Sequence, residues 1–111
     1  MSLLNLLFGS KPVEGVSILD RNSFANAIAK GKVQLVDVRT KREYNAGHIK
    51  GAINIDFFDR FNFNQLFEKL DKNKPVYIYC QSGNRSQNAA KKLVKMGFTN
   101  VLDLRGGFMA W

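Results

Sequence analysis

Short apolar runs alternate along the chain with segments in which apolar residues recur every three or four positions. Residues 33–38 and 76–79 are nearly continuous apolar runs, which is typical of strands buried on both faces of a parallel sheet. Shorter strands are predicted at residues 16–18, 53–55 and 101–104. Because strands and helical segments alternate, the pattern predicts an α/β fold with a parallel sheet and helices on both faces.

The helices are predicted from the spacing of apolar residues and from their capping residues. Apolar residues recur with helical spacing at residues 24–28, 63–70 and 89–94. Asp20 or Asn22 is suited to cap the first of these helices, and the second is expected to begin near Asn62. Thr40 and Glu43 form the sequence pattern of a capping box, which predicts a further short helix.

The composition is that of an ordinary globular protein, with 45% hydrophobic and 23% charged residues among 111 positions. We expect residues 1–15 to form a tail and linker, and residues 16–111 to form one domain. The apolar segment at residues 1–8 lacks the features of a signal peptide, and no run approaches membrane-spanning length. No membrane partner is therefore predicted. A single cysteine excludes an internal disulfide, which is typical of a reducing compartment, so we predict a cytoplasmic location.

The chain carries 17 basic and nine acidic residues, a net charge of +8. Such an excess attracts anions through its long-range field. The lysines are scattered, however, and Lys91, Lys92 and Lys95 fit the solvated face of one helix. Because nucleic-acid binding favours a clustered basic stripe with interleaved aromatic residues, no nucleic-acid partner is predicted.

An aromatic cluster lies before and within the predicted helix at residues 63–70. By their spacing, the phenylalanines at positions 57, 58, 61, 63 and 67 are expected to belong mostly to the core. One or two of the first three are expected to line the rim of a pocket or a partner surface instead.

The single cysteine, Cys80, lies between the predicted strand at residues 76–79 and a helical segment. The first N–H groups of a helix have no intrahelical acceptor, and the helix dipole places partial positive charge there. This position favours the nucleophilic thiolate, and Arg85 adds a permanent positive charge five residues later. The alternative is a buried, inert cysteine, a common fate of free cysteines. With one cysteine and one histidine, the sequence predicts no metal site.

The Cys80 loop, with the pattern Cys-x-x-Gly-x-Arg-Ser after a buried strand, resembles the active-site loop of the rhodanese family of single-domain sulfurtransferases. Three further segments match the family in the same order, at residues 35–44, 47–55 and 104–111. The resemblance implies a rhodanese-like domain with a five-stranded parallel sheet in the order 3-2-4-5-1. It places Cys80 at the carboxyl end of a strand, where open α/β sheets usually bind ligands.

The resemblance also implies that sulfur is transferred in two steps. The Cys80 thiolate attacks a sulfane sulfur and becomes a persulfide, and an acceptor thiol or cyanide-like nucleophile then takes the outer sulfur. The expected donor is a small sulfur-containing anion or persulfide, such as thiosulfate, polysulfide or a low-molecular-weight persulfide. The expected acceptor is a thiol of a small molecule or a protein. The reaction needs little acid–base chemistry and no cofactor.

Groups around Cys80 can be given roles on this basis. The residues expected to bind the substrate, mainly through backbone N–H groups, are Gln81, Ser82, Gly83, Asn84, Arg85 and Ser86. Gly83 allows a positive φ in the loop. Arg85 either binds the anionic donor or braces the loop through a carboxylate such as Glu43 or Asp37, and we favour bracing. Asp37 and Arg39 point the same way and are expected to support the site, by pairing with loop backbone or with Glu43.

Two other functions are compatible with a cysteine loop of this kind. A phosphatase of a related type, or an arsenate reductase, wraps a tetrahedral oxyanion in a Cys-x5-Arg loop, one residue longer than the Cys-x4-Arg loop here. The smaller loop favours a single sulfur atom over a phosphate. The second alternative is a non-catalytic sulfur-carrier or docking module. The intact cysteine and loop argue against an inactive domain but are compatible with a sulfur carrier.

Overall fold

The computed structural model describes residues 13–111, so most of the predicted tail and linker lies outside the described residues. Within the described part, strands and helices alternate as the hydrophobic pattern predicts. The strands are β1 (Val16–Leu19), β2 (Gln34–Asp37), β3 (Ile53–Asn54), β4 (Val76–Tyr79) and β5 (Val101–Leu104). The helices are α1 (Arg21–Ile28), α2 (Lys41–Ala46), α3 (Arg60–Glu68) and α4 (Asn84–Lys95), and a 3-10 turn at Phe108–Ala110 follows β5. No helix in residues 13–111 is both long and apolar enough to cross a bilayer.

The strands form one parallel sheet in the order β1-β5-β4-β2-β3. This confirms the predicted α/β class and the strand order implied by the family resemblance. β4 is the central strand, and its Tyr77 is in register with Leu35 of β2 and Leu102 of β5. The residue that follows β4 therefore emerges in the middle of the carboxyl edge of the sheet.

Side-chain caps mark where α1, α2 and α3 begin, whereas α4 begins after Gly83 without one. Asp20, one of the two predicted candidates, caps α1. Thr40 and Glu43 form the predicted capping box at the start of α2. α3 begins before the predicted Asn62, because the Asp59 carboxylate accepts the Asn62 N–H at 3.2 Å and stabilises an earlier first turn.

The two faces of the sheet carry separate hydrophobic clusters. α3 and α4 cover one face, where the Phe67 ring centroid lies 4.6 Å from that of Phe63 and 5.9 Å from that of Phe98. α1 and the C-terminal segment cover the other face, where the rings of Phe24 and Trp111 meet edge-on. Helices thus lie on both faces, as predicted.

The phenylalanines around α3 divide between core and surface, as their spacing predicts. Phe63 and Phe67 are fully buried, and Phe57 packs against the same cluster. Phe58 and Phe61, in contrast, are 63% and 74% exposed. Two large apolar rings therefore lie on the surface at the start of α3.

Phe67→Ala is expected to lower the free energy of unfolding by about 3–5 kcal/mol, because it leaves a cavity between Phe63 and Phe98. Leu66→Ala, at the neighbouring and partly exposed position of α3, is the matched control and should cost less than about 1.5 kcal/mol. Urea unfolding followed by circular dichroism measures both values. Equal losses in the two variants would contradict the assignment of Phe67 to the core.

Candidate active site

Cys80 directly follows β4 and lies at the carboxyl edge of the sheet, and a short loop separates it from α4. The loop can turn sharply because Gly83 adopts a φ of 114°, a left-handed conformation that other residues rarely take. The strand, loop and helix are therefore arranged as the sequence predicts. Because Cys80 is only 1% exposed, the contacts of its sulfur distinguish a reactive from an inert thiol.

The Cys80 sulfur contacts two polar groups. The Gly83 N–H donates to Sγ at 3.0 Å. Sγ also lies 3.3 Å from Oγ of Ser86, a fully buried hydroxyl that donates to the Gly83 carbonyl at 3.2 Å. A hydroxyl can rotate and donate to a sulfur that has lost its proton. Both groups can therefore stabilise a thiolate, which an apolar pocket would not do.

Further hydrogen-bond donors lie at the start of α4, next to the loop. The N–H groups of Asn84, Arg85 and Ser86 belong to the first helical turn and have no intrahelical acceptor. No other acceptor for these three groups lies among residues 13–111. The positive end of the helix dipole lies at the same point. The start of α4 is therefore suited to negative charge on or beyond the sulfur.

Arg85 joins the loop to α2. Its Nη1 and Nη2 donate to Oε1 and Oε2 of Glu43 at 2.6 and 2.9 Å. The backbone N–H and the hydroxyl of Thr40 donate to the same carboxylate. Hydrogen bonding to Arg85 is the main cause that lowers the pKa of Glu43 from an ordinary 4.5 to about 2. Glu43, one of the two carboxylates predicted as a partner of Arg85, is thus the one it binds.

Arg39 connects four parts of the site from a buried position. Its guanidinium makes three hydrogen bonds of 2.8–3.1 Å to the Asp37 carboxylate. It also donates to the Gly47 carbonyl at 2.7 Å and to Oε1 of Gln81 at 3.0 Å. The Phe108 ring centroid lies 4.4 Å from Cζ. Burial acts to lower the pKa of Arg39, but its bonds to Asp37 outweigh this effect and raise it.

Asp37 and Arg39 bind chiefly each other; the predicted backbone contacts are made with the Arg39 N–H and the Gly47 carbonyl, and the predicted pairing with Glu43 is not found among the described residues. The two residues are next-nearest neighbours at the end of β2, so their side chains lie on the same side and bind each other. The Glu43 carboxylate is already bound by Arg85. Contact with the loop is made through the side chain of Gln81 rather than through backbone.

The remaining loop side chains, predicted to bind the substrate, differ in their surroundings. Gln81 is turned toward Arg39 and is partly buried. Ser82 and Asn84 are exposed at the rim of the loop, where a substrate or a partner can reach them. Because these three side chains are neutral, the formal charge of the loop comes from Arg85.

The segment after β5 packs directly on the cysteine loop, a contact that the hydrophobic pattern does not predict. The Phe108 N–H donates to the Cys80 carbonyl at 2.8 Å, and the Met109 N–H donates to the Gln81 carbonyl at 3.1 Å. A Cβ at Gly107 would lie 2.5 Å from both carbonyl oxygens. The glycine pair at residues 106–107 was the available signal, because glycine permits this close approach of two backbones.

A buried carboxylate on β5 is a second feature that the sequence patterns do not predict. Asp103 is 1% exposed, and its Oδ2 accepts from Nε2 of Gln87 at 2.6 Å. Its Oδ1 has no hydrogen-bond partner among residues 13–111. Burial raises the pKa of Asp103 to about 6, although Ser86 and Gln87 act in the opposite direction. An ionisable group thus lies close to the serine that contacts the Cys80 sulfur.

The histidine of the chain lies in the segment just after α2 and not in the cysteine loop. His48 stacks on Tyr44 with ring centroids 3.7 Å apart, and its Nδ1 lies 2.8 Å from the Tyr44 carbonyl oxygen. No group of three or more His, Cys, Asp or Glu residues in residues 13–111 is arranged to hold a metal ion.

The chain matches the family model described as Rhodanese-like domain over residues 20–111, and it belongs to the rhodanese-like family. The thiosulfate sulfurtransferase GlpE of Shewanella oneidensis is 37% identical over 93 residues, covering 84% of this chain and 89% of the relative. The uncharacterized protein YqhL of Bacillus subtilis is 44% identical over 80 residues, covering 72% of this chain but only 61% of that protein. A solved rhodanese-like domain protein from Staphylococcus aureus has a TM-score of 0.74 at 29% identity, covering 85% of this chain and 89% of that chain. The family predicted from the sequence motifs is confirmed.

Glu43→Gln removes the charge that Arg85 binds and is expected to lower the free energy of unfolding near pH 7 by about 1 kcal/mol. The pKa of Glu43 falls from 4.5 to about 2 on folding. Its stabilising contribution is therefore complete above about pH 4.5 and is lost as the pH falls toward 2. The difference between the wild type and the variant should shrink accordingly between about pH 7 and about pH 2.5, measured by urea unfolding.

Glu68→Gln is the matched control, because it removes an exposed ion pair with Lys72 far from the loop. It should change the free energy of unfolding near pH 7 by less than about 0.5 kcal/mol. A loss in Glu43→Gln that is equal at both pH values would show that the ion pair with Arg85 is not its cause.

Proposed function

We propose that the protein is a sulfurtransferase that moves a sulfane sulfur from a small donor to a thiol through a persulfide on Cys80. The observation that carries the proposal is the surroundings of the Cys80 sulfur, which accepts the Gly83 N–H at 3.0 Å beside the first turn of α4. Membership of the rhodanese-like family, and the similarity to a thiosulfate sulfurtransferase, support this class of reaction.

In the first step, the Cys80 thiolate attacks the outer sulfur of a donor such as thiosulfate. A new S–S bond forms at Sγ, the S–S bond of the donor breaks, and sulfite leaves with the bonding electron pair. Cys80 then carries a persulfide whose outer sulfur lies about 2 Å beyond Sγ. Negative charge moves to that outer sulfur, and the N–H groups of Asn84, Arg85 and Ser86 are available to stabilise it.

In the second step, an acceptor thiolate attacks the outer sulfur, and the Cys80 thiolate is the leaving group. One S–S bond breaks as another forms on the acceptor, so the transfer needs neither an oxidant nor a reductant. Because Sγ belongs to a residue that is 1% exposed, a bulky acceptor reaches the outer sulfur more easily than it reaches Sγ. The burial of Cys80 is therefore compatible with transfer from its persulfide.

Arg85 weighs against the phosphatase and arsenate-reductase alternatives. Both of its terminal nitrogens bind Glu43, so this guanidinium cannot wrap an oxyanion without breaking an ion pair. The four residues between Cys80 and Arg85 also leave a smaller loop than those enzymes use. A sulfur carrier, in contrast, would use the same persulfide and would differ from an independent enzyme only in its acceptor.

Incubation with thiosulfate, and separately with polysulfide or glutathione persulfide, is expected to add one sulfur atom to the protein. Intact-protein mass spectrometry measures this gain, which a reductant should remove. In Cys80→Ser, sulfur transfer to cyanide or to a small thiol should fall by more than about 1,000-fold, because the nucleophile is lost.

Ser17→Ala, at an exposed position of the edge strand β1, is the control and should retain full transfer. Circular dichroism of Cys80→Ser verifies that the fold is intact. Substantial transfer by a folded Cys80→Ser variant would disprove the mechanism. Hydrolysis of p-nitrophenyl phosphate without any sulfur gain would favour the oxyanion enzymes instead.

A further inference from the structure

A groove lined by basic side chains lies between the start of α3 and the middle of α4. We call it the cationic groove, and its lining residues are Phe57, Arg60, Asn88, Lys91, Lys92 and Lys95. The sequence pattern assigned the three lysines to the solvated face of one helix. The fold adds Arg60 from a different helix, so that four positive charges line one depression.

The charges of the cationic groove are not compensated by acidic side chains of the described residues. None of its four basic residues forms a salt bridge with a carboxylate in residues 13–111. Asp59 precedes Arg60, but its carboxylate binds the N–H and side-chain amide of Asn62. Lys92 lies with Nζ 4.6 Å from the Phe63 ring centroid, a contact that leaves its positive charge in place. The groove therefore presents a positive potential to solvent, which attracts an anionic partner.

The cationic groove continues to the cysteine loop through two aromatic rings. Phe57 lines the groove, and its ring centroid lies 6.0 Å from that of Phe58. The Phe58 ring centroid lies 5.5 Å from Cζ of Arg85. At a rise of about 1.5 Å per residue, Lys91 and Lys95 lie roughly 10 and 16 Å along α4 from its start at the loop. A partner that occupies the groove can thus also reach the loop.

We propose that the acceptor thiol belongs to a protein that presents an acidic segment beside its reactive cysteine, and that this segment docks in the cationic groove. This inference rests on the sulfur transfer proposed above. The partner's carboxylates bind the groove, and its cysteine thiolate attacks the outer sulfur of the Cys80 persulfide. The persulfide S–S bond breaks as a new one forms on the partner, and Cys80 leaves as the thiolate.

The exposed apolar surface beside the groove favours a protein, rather than a small anionic thiol, as the acceptor. Phe58 and Phe61, at 63% and 74% exposure, lie on the surface at the start of α3, beside the groove. Exposed aromatic rings next to a charged patch are typical of protein–protein interfaces, in which a buried apolar centre has a polar rim. A partner protein can cover these rings and neutralise the groove at the same time.

The test uses two synthetic peptides that each contain one cysteine, followed by a short run of glutamates in one and of glutamines in the other. In the binding assay the cysteine is alkylated, and the fluorescence anisotropy of a labelled peptide is measured at low ionic strength. We expect the glutamate peptide to bind at least about tenfold more tightly, and added salt to remove this advantage. The double variant Lys91→Glu/Lys95→Glu should lose the preference. Lys30→Glu/Lys32→Glu, with the same change of net charge at exposed positions in the turn between α1 and β2, should keep it.

The transfer assay uses the unmodified peptides and protein whose Cys80 has been loaded with sulfur. The glutamate peptide should discharge the persulfide at least about tenfold faster than the glutamine peptide, and Lys91→Glu/Lys95→Glu should abolish this difference. Loading from polysulfide should remain within about twofold of the wild type, because neither lysine belongs to the loop.

Equal binding of the two peptides, or a preference that survives Lys91→Glu/Lys95→Glu, would overturn the docking proposal even if Cys80 loads normally. The persulfide could instead be discharged by coenzyme A in a way that depends on the groove, and not by the glutamate peptide. That result would overturn the docking proposal and identify a small polyanionic thiol as the acceptor. Failure of Cys80 to load in every variant would instead overturn the proposed function. The alkylated peptide would still report on docking in that case, because its binding requires no sulfur chemistry.

Discussion

Arg39 carries a positive charge into the protein interior at the carboxyl edge of the sheet, and the structure around it compensates that charge. Asp37 supplies the counterion, and the Gly47 carbonyl and the Gln81 amide oxygen bind two further guanidinium N–H groups. Loss of either member of such a buried pair leaves a charge without a partner, at a cost of about 3–5 kcal/mol. The guanidinium therefore cannot move without a large loss of stability. Because it binds the end of α2 and the start of the cysteine loop, those segments are held in position as well.

The second guanidinium of the site acts in the same way at the other end of the loop. Arg85 binds Glu43, and the Phe108 N–H binds the Cys80 carbonyl. Both cations of the site thus have carboxylate partners, and the described contacts of the sulfur are with the Gly83 N–H and the Ser86 hydroxyl. Fixed dipoles of this kind stabilise charge wherever it develops within their reach. A cation paired directly with Sγ would instead favour charge on Sγ over charge on the outer sulfur of a persulfide.

The parts of this structure that depend on local patterns could be predicted from the sequence. Strand burial, helix spacing, the capping box at Thr40 and the position of Cys80 before a helix all follow from neighbouring residues. The pairing of Asp37 with Arg39 could not, because each had several polar partners within reach and the choice depends on the packing of the buried strand end. The contact of residues 107–109 with the loop joins segments that are distant in sequence, so no local pattern reports it.

The distribution of positive charge over the surface also could not be predicted from the sequence, and it bears on function. The sequence gives a net charge of +8 but not its distribution, and scattered lysines suggest mainly solubility. In the fold, Arg39 and Arg85 are neutralised at the site, whereas Arg60 and three lysines of α4 are brought together without carboxylate partners among the described residues. Four of the uncompensated positive charges thus lie together beside the loop rather than within it. A neutral cradle of N–H groups can hold the sulfur of many donors, because it recognises charge on sulfur and not the group attached to it. On the proposed mechanism, discrimination among acceptors then requires contacts outside the loop, which we assign to the uncompensated charges and exposed aromatic rings at the start of α3.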